Sequence, residues 1–188
     1  FCDCEAWRAG HRRALKNMDA PLLAAPPGDA VLMRPHLQQA KAALIAQFLE
    51  ARPTTSAATK LLRALARQAD TALRGLWQSS GMPPGSALVG VGGYGRGELF
   101  PHSDVDVLVL LPEGAPTLAV ETFITACWDL GLEIGSAVRT VAQCVAEAQR
   151  DVTVQTSLLE ARAIAGSRKL FDEFRRACNA ALDPAAFL

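Results

Sequence analysis

Asp104 and Asp106 stand one residue apart at the start of an otherwise apolar run, Val-Leu-Val-Leu-Leu from Val107 to Leu111. Just ahead of them, "VGVGGYGRG" from Val89 to Gly97 holds five glycines. Side chains alternate faces along a strand, so the two carboxylates point the same way, with Cα atoms ~6–7 Å apart. Carboxylates at that spacing can converge on one or two Mg²⁺ ions, which two-metal sites hold roughly 3.5–4 Å apart. Without a cation, two like charges occupy positions where packing would favour Val or Ile. The alternative is ordinary: Asp104 caps the strand start, and Asp106 meets an arginine such as Arg96.

The glycines bear on that choice. Gly92, Gly93 and Gly95 let the backbone approach a ligand closely and adopt positive φ. Successive N–H groups in such a turn form a concavity suited to phosphate oxygens. Arg96 adds a guanidinium that can meet phosphate bidentately. A phosphate cradle followed about a dozen residues later by metal-binding acids fits nucleotidyl transfer. Gly90, Gly92 and Gly95 also satisfy G-x-G-x-x-G, the dinucleotide-binding fingerprint, which requires a long helix next. Here Gly97 and Pro101 allow barely one turn, and no G-K-[ST] follows to make a P-loop.

The flanking elements are legible from periodicity. Leu37, Ala40, Leu44, Phe48 and Ala51 define an amphipathic helix from His36, closed by Pro53. Thr54, Thr55 or Ser56 caps a second helix with Leu61, Leu65, Ala69, Leu73 and Trp77 on one face. Strands are expected at Ala87–Val91, Val105–Leu111 and in "LEIGSAVRT", with a helix over Thr117–Leu130 capped by Gly131. That helix should bury Phe123, Ile124 and Trp128. Further helices are expected from Thr140 to Arg150, over Val152–Ala165, and from Ser167 to about Leu182. The chain divides into a loop-rich segment at 1–35, a helical hairpin at 36–80, a core at 81–140 and C-terminal helices at 141–188. The fold class is α/β (α+β), a small mixed sheet flanked by helices.

Half the 188 residues are apolar, a fifth are charged and formal net charge is zero. That composition supports a globular core and argues against disorder and against general nucleic-acid binding. No apolar run approaches the ~20 residues that span a bilayer, and no secretory pattern opens the chain, so a cytoplasmic location without membrane partners is expected. The cysteines Cys2, Cys4, Cys127, Cys144 and Cys178 are odd in number and scattered, unlike a disulfide framework. Cys2, Cys4 and His11 match no zinc-finger spacing. The start at Phe1 suggests a piece of a longer protein.

The segment "GVGGYGRGELFPHSDVDVLVL" resembles the signature of the DNA polymerase β-like nucleotidyltransferase superfamily, Gly-Gly or Gly-Ser followed by Asp-x-Asp on the next strand. With "WDLGLEIGSAVRT" at 128–140 and "DVTVQTSLLEAR" at 151–162, it looks like the N-terminal domains of the PII uridylyltransferase/uridylyl-removing family. The resemblance runs from about Leu37 onward. It implies transfer of UMP from UTP to a tyrosine of the PII nitrogen-regulatory protein, with release of pyrophosphate. By position, Gly92 and Gly93 would hold the triphosphate, Asp104 and Asp106 would bind Mg²⁺, and Arg96 and Ser103 would assist with phosphate. The superfamily's third carboxylate is expected on "LEIGSAVRT", where Gly135 stands instead. Glu133, two residues earlier, is favoured for that role as third metal ligand or catalytic base, with Asp151 as the other option. Full-length members also carry HD hydrolase and ACT domains, of which no His-Asp pair is found here. Two alternatives stay open: another transferase, for instance adenylylating, and a non-catalytic nucleotide-binding regulatory module of the same fold.

Several neighbouring residues carry two readings. His102 could touch phosphate or be solvated, and Tyr94 could stack or pack. Glu98 would tie down the glycine turn through Arg96 or through backbone amides. Arg139 and Arg162 could serve the site or only form ion pairs.

Overall fold

A computed structural model describes residues 30–182. Cys2, Cys4, His11 and most of the loop-rich 1–35 segment lie outside the described residues. The first described helix, α1 (Ala30–Glu50), begins earlier than His36 and runs through Pro35. Proline removes one backbone bond there, but Ala30 and Leu37 are buried on either side of it, and tertiary packing outweighs the local cost. Helix α2 (Thr55–Ser79) starts at Thr54, whose Oγ1 accepts from the Ala57 N–H at 3.1 Å. Its buried face carries Leu61, Leu65, Ala69, Leu73 and Trp77 as the spacing requires. α1 and α2 pack together, and Gln68 Nε2 donates to the Leu37 carbonyl at 3.0 Å.

Four strands form one mixed sheet in the order β3-β2-β1-β4. β1 (Ala87–Gly90) pairs antiparallel with β2 (Val105–Leu110) and with β4 (Arg162–Gly166), while β2 pairs parallel with β3 (Ile134–Arg139). Between β1 and β2 lies a single helical turn, α3 (Gly92–Gly95), too short for a dinucleotide-binding crossover. The parallel pair instead needs a crossover, supplied by α4 (Leu118–Leu130), which ends on Gly131 in the left-handed region at φ 85°. Next come α5 (Val141–Arg150), with a Thr140/Gln143 capping box, α6 (Val152–Leu159), and α7 (Arg168–Ala180), capped by Ser167.

Two expectations are corrected. The helix expected over Val152–Ala165 stops at Leu159, and Arg162–Gly166 becomes β4. So short an apolar run as Ala163–Ile164–Ala165 does not reveal its period, and the free edge of β1 offers it a ladder in which Val89 faces Ala163. Trp128 is 57% exposed, whereas Phe123 is fully buried. Five residues separate them, about 140° around a helix, so they cannot share a buried stripe.

The central strands β1 and β2 are covered on both faces. Val105, Val107 and Val109 pack with α1, α2 and α4 on one side, through residues such as Leu73, Trp77 and Phe123. Leu108, Leu110, Ala87 and Val89 pack on the other against Cys144, Leu158, Phe171 and Phe174 of α5, α6 and α7. Burial of Cys127 and Cys144 pushes both thiols up to about 12, as expected of cysteines serving as small hydrophobes. Among the described residues, no helix is long and apolar enough to cross a membrane.

Candidate active site

Strand directions bring one end of the sheet together. The end of β1 meets the start of its antiparallel neighbours, with Gly90 opposite Val107 on one side and Arg162 on the other. Because β3 runs parallel to β2, its start lies at the same end, with Val105 opposite Ile134 and Asp106 opposite Gly135. The order across this end is therefore Glu133/Gly135, then Asp104/Asp106, then the glycine turn, then Arg162.

Asp106 shares strand parity with Leu108 and Leu110, which face α5, α6 and α7. Asp106 is exposed at the sheet end, yet partial desolvation there, and then the neighbouring Asp104 charge, raise its pKa above the ordinary carboxylate value. Among the described residues, neither aspartate has an ion-pair partner. The arginine that could have met Asp106 is engaged elsewhere: Arg96 pairs with Glu98 through Nε and with Glu160 through Nη1. Two adjacent carboxylates without a cation form an all-oxygen donor set with excess negative charge, which fits a hard divalent cation.

The turn beside them divides its glycines by task. Gly92 has φ 56°, and a Cβ there would lie 3.9 Å from both Asp106 Oδ2 and Ser157 Oγ. Gly93 does not adopt positive φ, so its glycine is not required by backbone conformation. A Cβ there would make an ordinary 3.5 Å contact with Arg96 Nη2, the guanidinium nitrogen not bonded to Glu98 or Glu160. Gly95 does not line a ligand space at all: a Cβ would lie 2.1 Å from the Glu160 carbonyl oxygen. It is a close-packing glycine that lets the turn sit against the end of α6.

What holds the turn in place is an ionic cluster centred on the buried Asp70. Asp70 of α2 accepts from the Tyr94 hydroxyl at 2.6 Å and from both terminal nitrogens of Arg162, at 2.7 and 3.0 Å. Arg162 also donates to the carbonyls of Gly95 and Tyr94, both at 3.2 Å. Arg74 reaches Asp70 and the Ile164 carbonyl. Burial, then the Asp70 charge, drive the Tyr94 hydroxyl pKa far upward, so it stays a neutral donor. Tyr94 thus packs and anchors, and Arg162 forms a structural ion pair. Sequence reasoning missed Asp70, although an acid beside the Leu65–Ala69–Leu73 stripe, four residues before Arg74, was a usable sign. It also missed Ser157, whose one clue was its place inside "DVTVQTSLLEAR".

The remaining residues sit as follows. Ser103 is exposed and closes a turn, accepting from the Phe100 N–H and donating to its carbonyl, both at 3.2 Å. His102 is exposed in the same turn. Arg139 ends β3, remote from the acids by strand register. Asp151 caps α6, accepting from the Thr153 N–H at 2.7 Å, and that bond holds its pKa low. Glu133 immediately precedes β3, and its carbonyl accepts from Val105 N–H at 2.7 Å. Its side chain is exposed and lines a cleft together with Asp104. Among the described residues, no group of three His, Cys, Asp or Glu side chains is gathered closely enough to hold a metal. Gly135 explains part of this: a Cβ there would stand 2.6 Å from Asp106 Oδ1, so Asp106 fills the space a third carboxylate would need.

A glycine turn opening onto paired strand acids at the end of a mixed sheet defines the class, and comparison agrees. Residues 71–161 match the nucleotidyltransferase domain family, so the chain carries a nucleotidyltransferase domain. The chain is also similar to the bifunctional uridylyltransferase/uridylyl-removing enzymes of Burkholderia pseudomallei (strain K96243) and Burkholderia mallei (strain SAVP1). Each is 54% identical over 166 residues, covering 87% of this chain. The chain spans 19% of the length of each of these relatives.

Proposed function

We propose that this domain transfers UMP from UTP to a tyrosine hydroxyl of the PII signalling protein and releases pyrophosphate. The observation that carries the reading is the pair Asp104/Asp106, which has no ion-pair partner among the described residues, with Asp106 beside the Gly92 turn and Ser157. The similarity to uridylyltransferases supports uridylyl as the group transferred. Asp104 and Asp106 are the residues that would hold Mg²⁺, which when bound supplies positive charge against the phosphate oxygens. The Gly92–Gly93 backbone and Arg96 Nη2 orient the triphosphate, with Arg96 braced by Glu98 and Glu160. The acceptor oxygen attacks the α-phosphorus in line, and the new O–P bond forms as the bond to the bridging oxygen of pyrophosphate breaks. The tyrosine proton passes to a carboxylate, for which Glu133, lining the same cleft as Asp104, is the candidate, while Asp151 is occupied as a helix cap.

The test is direct. The protein is incubated with Mg²⁺, purified PII protein and each α-labelled nucleoside triphosphate in turn. Label should reach PII from UTP and depend on the divalent ion. Transfer from ATP in preference to UTP would replace the uridylyl reading with an adenylyl one.

A further inference from the structure

On the flank of the acids away from the glycine turn lies a cleft of about 320 Å³, lined by Arg34, Asp104, Trp128, Leu132, Glu133 and Ile134. Trp128 is an indole left 57% exposed on a helix whose other large aromatic is buried. It sits at the rim because α4 buries Phe123 and Cys127 and ends one turn later at Gly131. Arg34 of α1 lies against Gly131: a Cβ there would lie 2.9 Å from Arg34 Nε. The cleft therefore carries an aromatic face, a guanidinium and two carboxylates, one of them from the acid pair itself.

We propose that this cleft seats the acceptor, as a polypeptide segment whose tyrosyl ring lies against Trp128 with its hydroxyl directed at the Asp104/Glu133 edge. The inference rests on the transfer reading above and adds the surface that reads the acceptor. Three observations carry it. In-line displacement needs nucleophile and leaving group on opposite sides of the reacting phosphorus. The sheet order places the glycine turn on the β1 side of the acids and the cleft on the β3 side, so pyrophosphate and acceptor have separate flanks. The cleft volume lies at the low end of small-ligand sites, suited to one ring side chain rather than a whole nucleotide. Glu133 at the cleft also suits a hydroxyl that must give up a proton. An aromatic ring on an indole adds orientation, and Arg34 can hold a backbone carbonyl of the incoming segment.

The test separates acceptor from nucleotide. In Trp128→Ala and Arg34→Ala, KM for purified PII protein should rise at least tenfold while the Kd for UTP, by calorimetry, changes less than twofold. Trp128→Phe should recover most of the loss, which a purely structural tryptophan at an exposed position would not show. A weakened UTP Kd with unchanged KM for PII would overturn the proposal and assign the cleft to the base. Unchanged values for both would overturn it as well. A second readout does not need transfer: N-acetyl-tyrosinamide, but not N-acetyl-alaninamide, should shift the Trp128 indole N–H resonance. No shift at saturating tyrosinamide would overturn the cleft assignment. A shift without any label transfer from UTP to PII would uphold the cleft and sink the uridylyl reading instead.

Discussion

At the scale of single residues, the site depends on two carboxylates and on a glycine that leaves one of them room. Asp104→Asn and Asp106→Asn preserve shape and remove charge. Each should lower transfer at least a hundredfold in a steady-state assay, because a lost metal ligand removes several kcal/mol of transition-state stabilisation. Folding should survive, since like-charge repulsion falls. Near-normal rates in both variants would remove the pair from the mechanism. Gly135→Ala makes a finer prediction. The added methyl would stand 2.6 Å from Asp106 Oδ1, and the atom in its way is the end of a side chain that can turn aside. Stability should change by less than about 1 kcal/mol, since alanine fits a strand better than glycine does. Transfer should fall about tenfold or more, because small misplacement of a reacting group is expensive. A large drop in melting temperature with normal turnover would reverse that assignment.

At the scale of elements, the glycine turn owes its position to α2 and β4 rather than to its own sequence. Asp70 links them through Tyr94 and Arg162, and it is nearly buried, whereas Arg162 is about a third exposed (31% of its side chain). Asp70→Ala leaves a guanidinium and a phenol without their acceptor. The cost should be about 2–3 kcal/mol by denaturant titration, below that of a fully dry pair because water still reaches Arg162. Tyr94→Phe removes one donor and should cost about 1 kcal/mol, the smaller of the two losses. Equal stability of Asp70→Ala and the parent would mean that packing of α2 alone positions the turn.

For the whole molecule, a ligand held at the end of the sheet stabilises every layer that meets there. Mg²⁺ with UTP should raise the melting temperature, by an amount equivalent to about 2.7 kcal/mol at a hundredfold excess over Kd. The rise should largely vanish in Asp106→Asn and persist in Trp128→Ala, since the cleft is assigned to the acceptor. Differential scanning calorimetry reads both. A nucleotide-dependent rise that needs Trp128 would place UTP in the cleft.

The acid pair, the breakers around the glycine turn, the helix caps at Thr54, Thr140 and Ser167 and the buried face of α2 all follow from local rules. Alternation, capping and apolar spacing act within a few residues, so the sequence alone determined them. The mixed sheet with flanking helices was legible for the same reason. What lay beyond it needed partners distant in the chain. β4 is a strand because β1 has a free edge, Asp70 is an anchor because Arg162 arrives ninety-two residues later, and Gly95 is required by the Glu160 carbonyl. Trp128 is outside the core because α4 turns a different stripe inward. Such contacts are set by tertiary packing, which overrides local preference wherever an apolar run is short or a charge finds a buried partner.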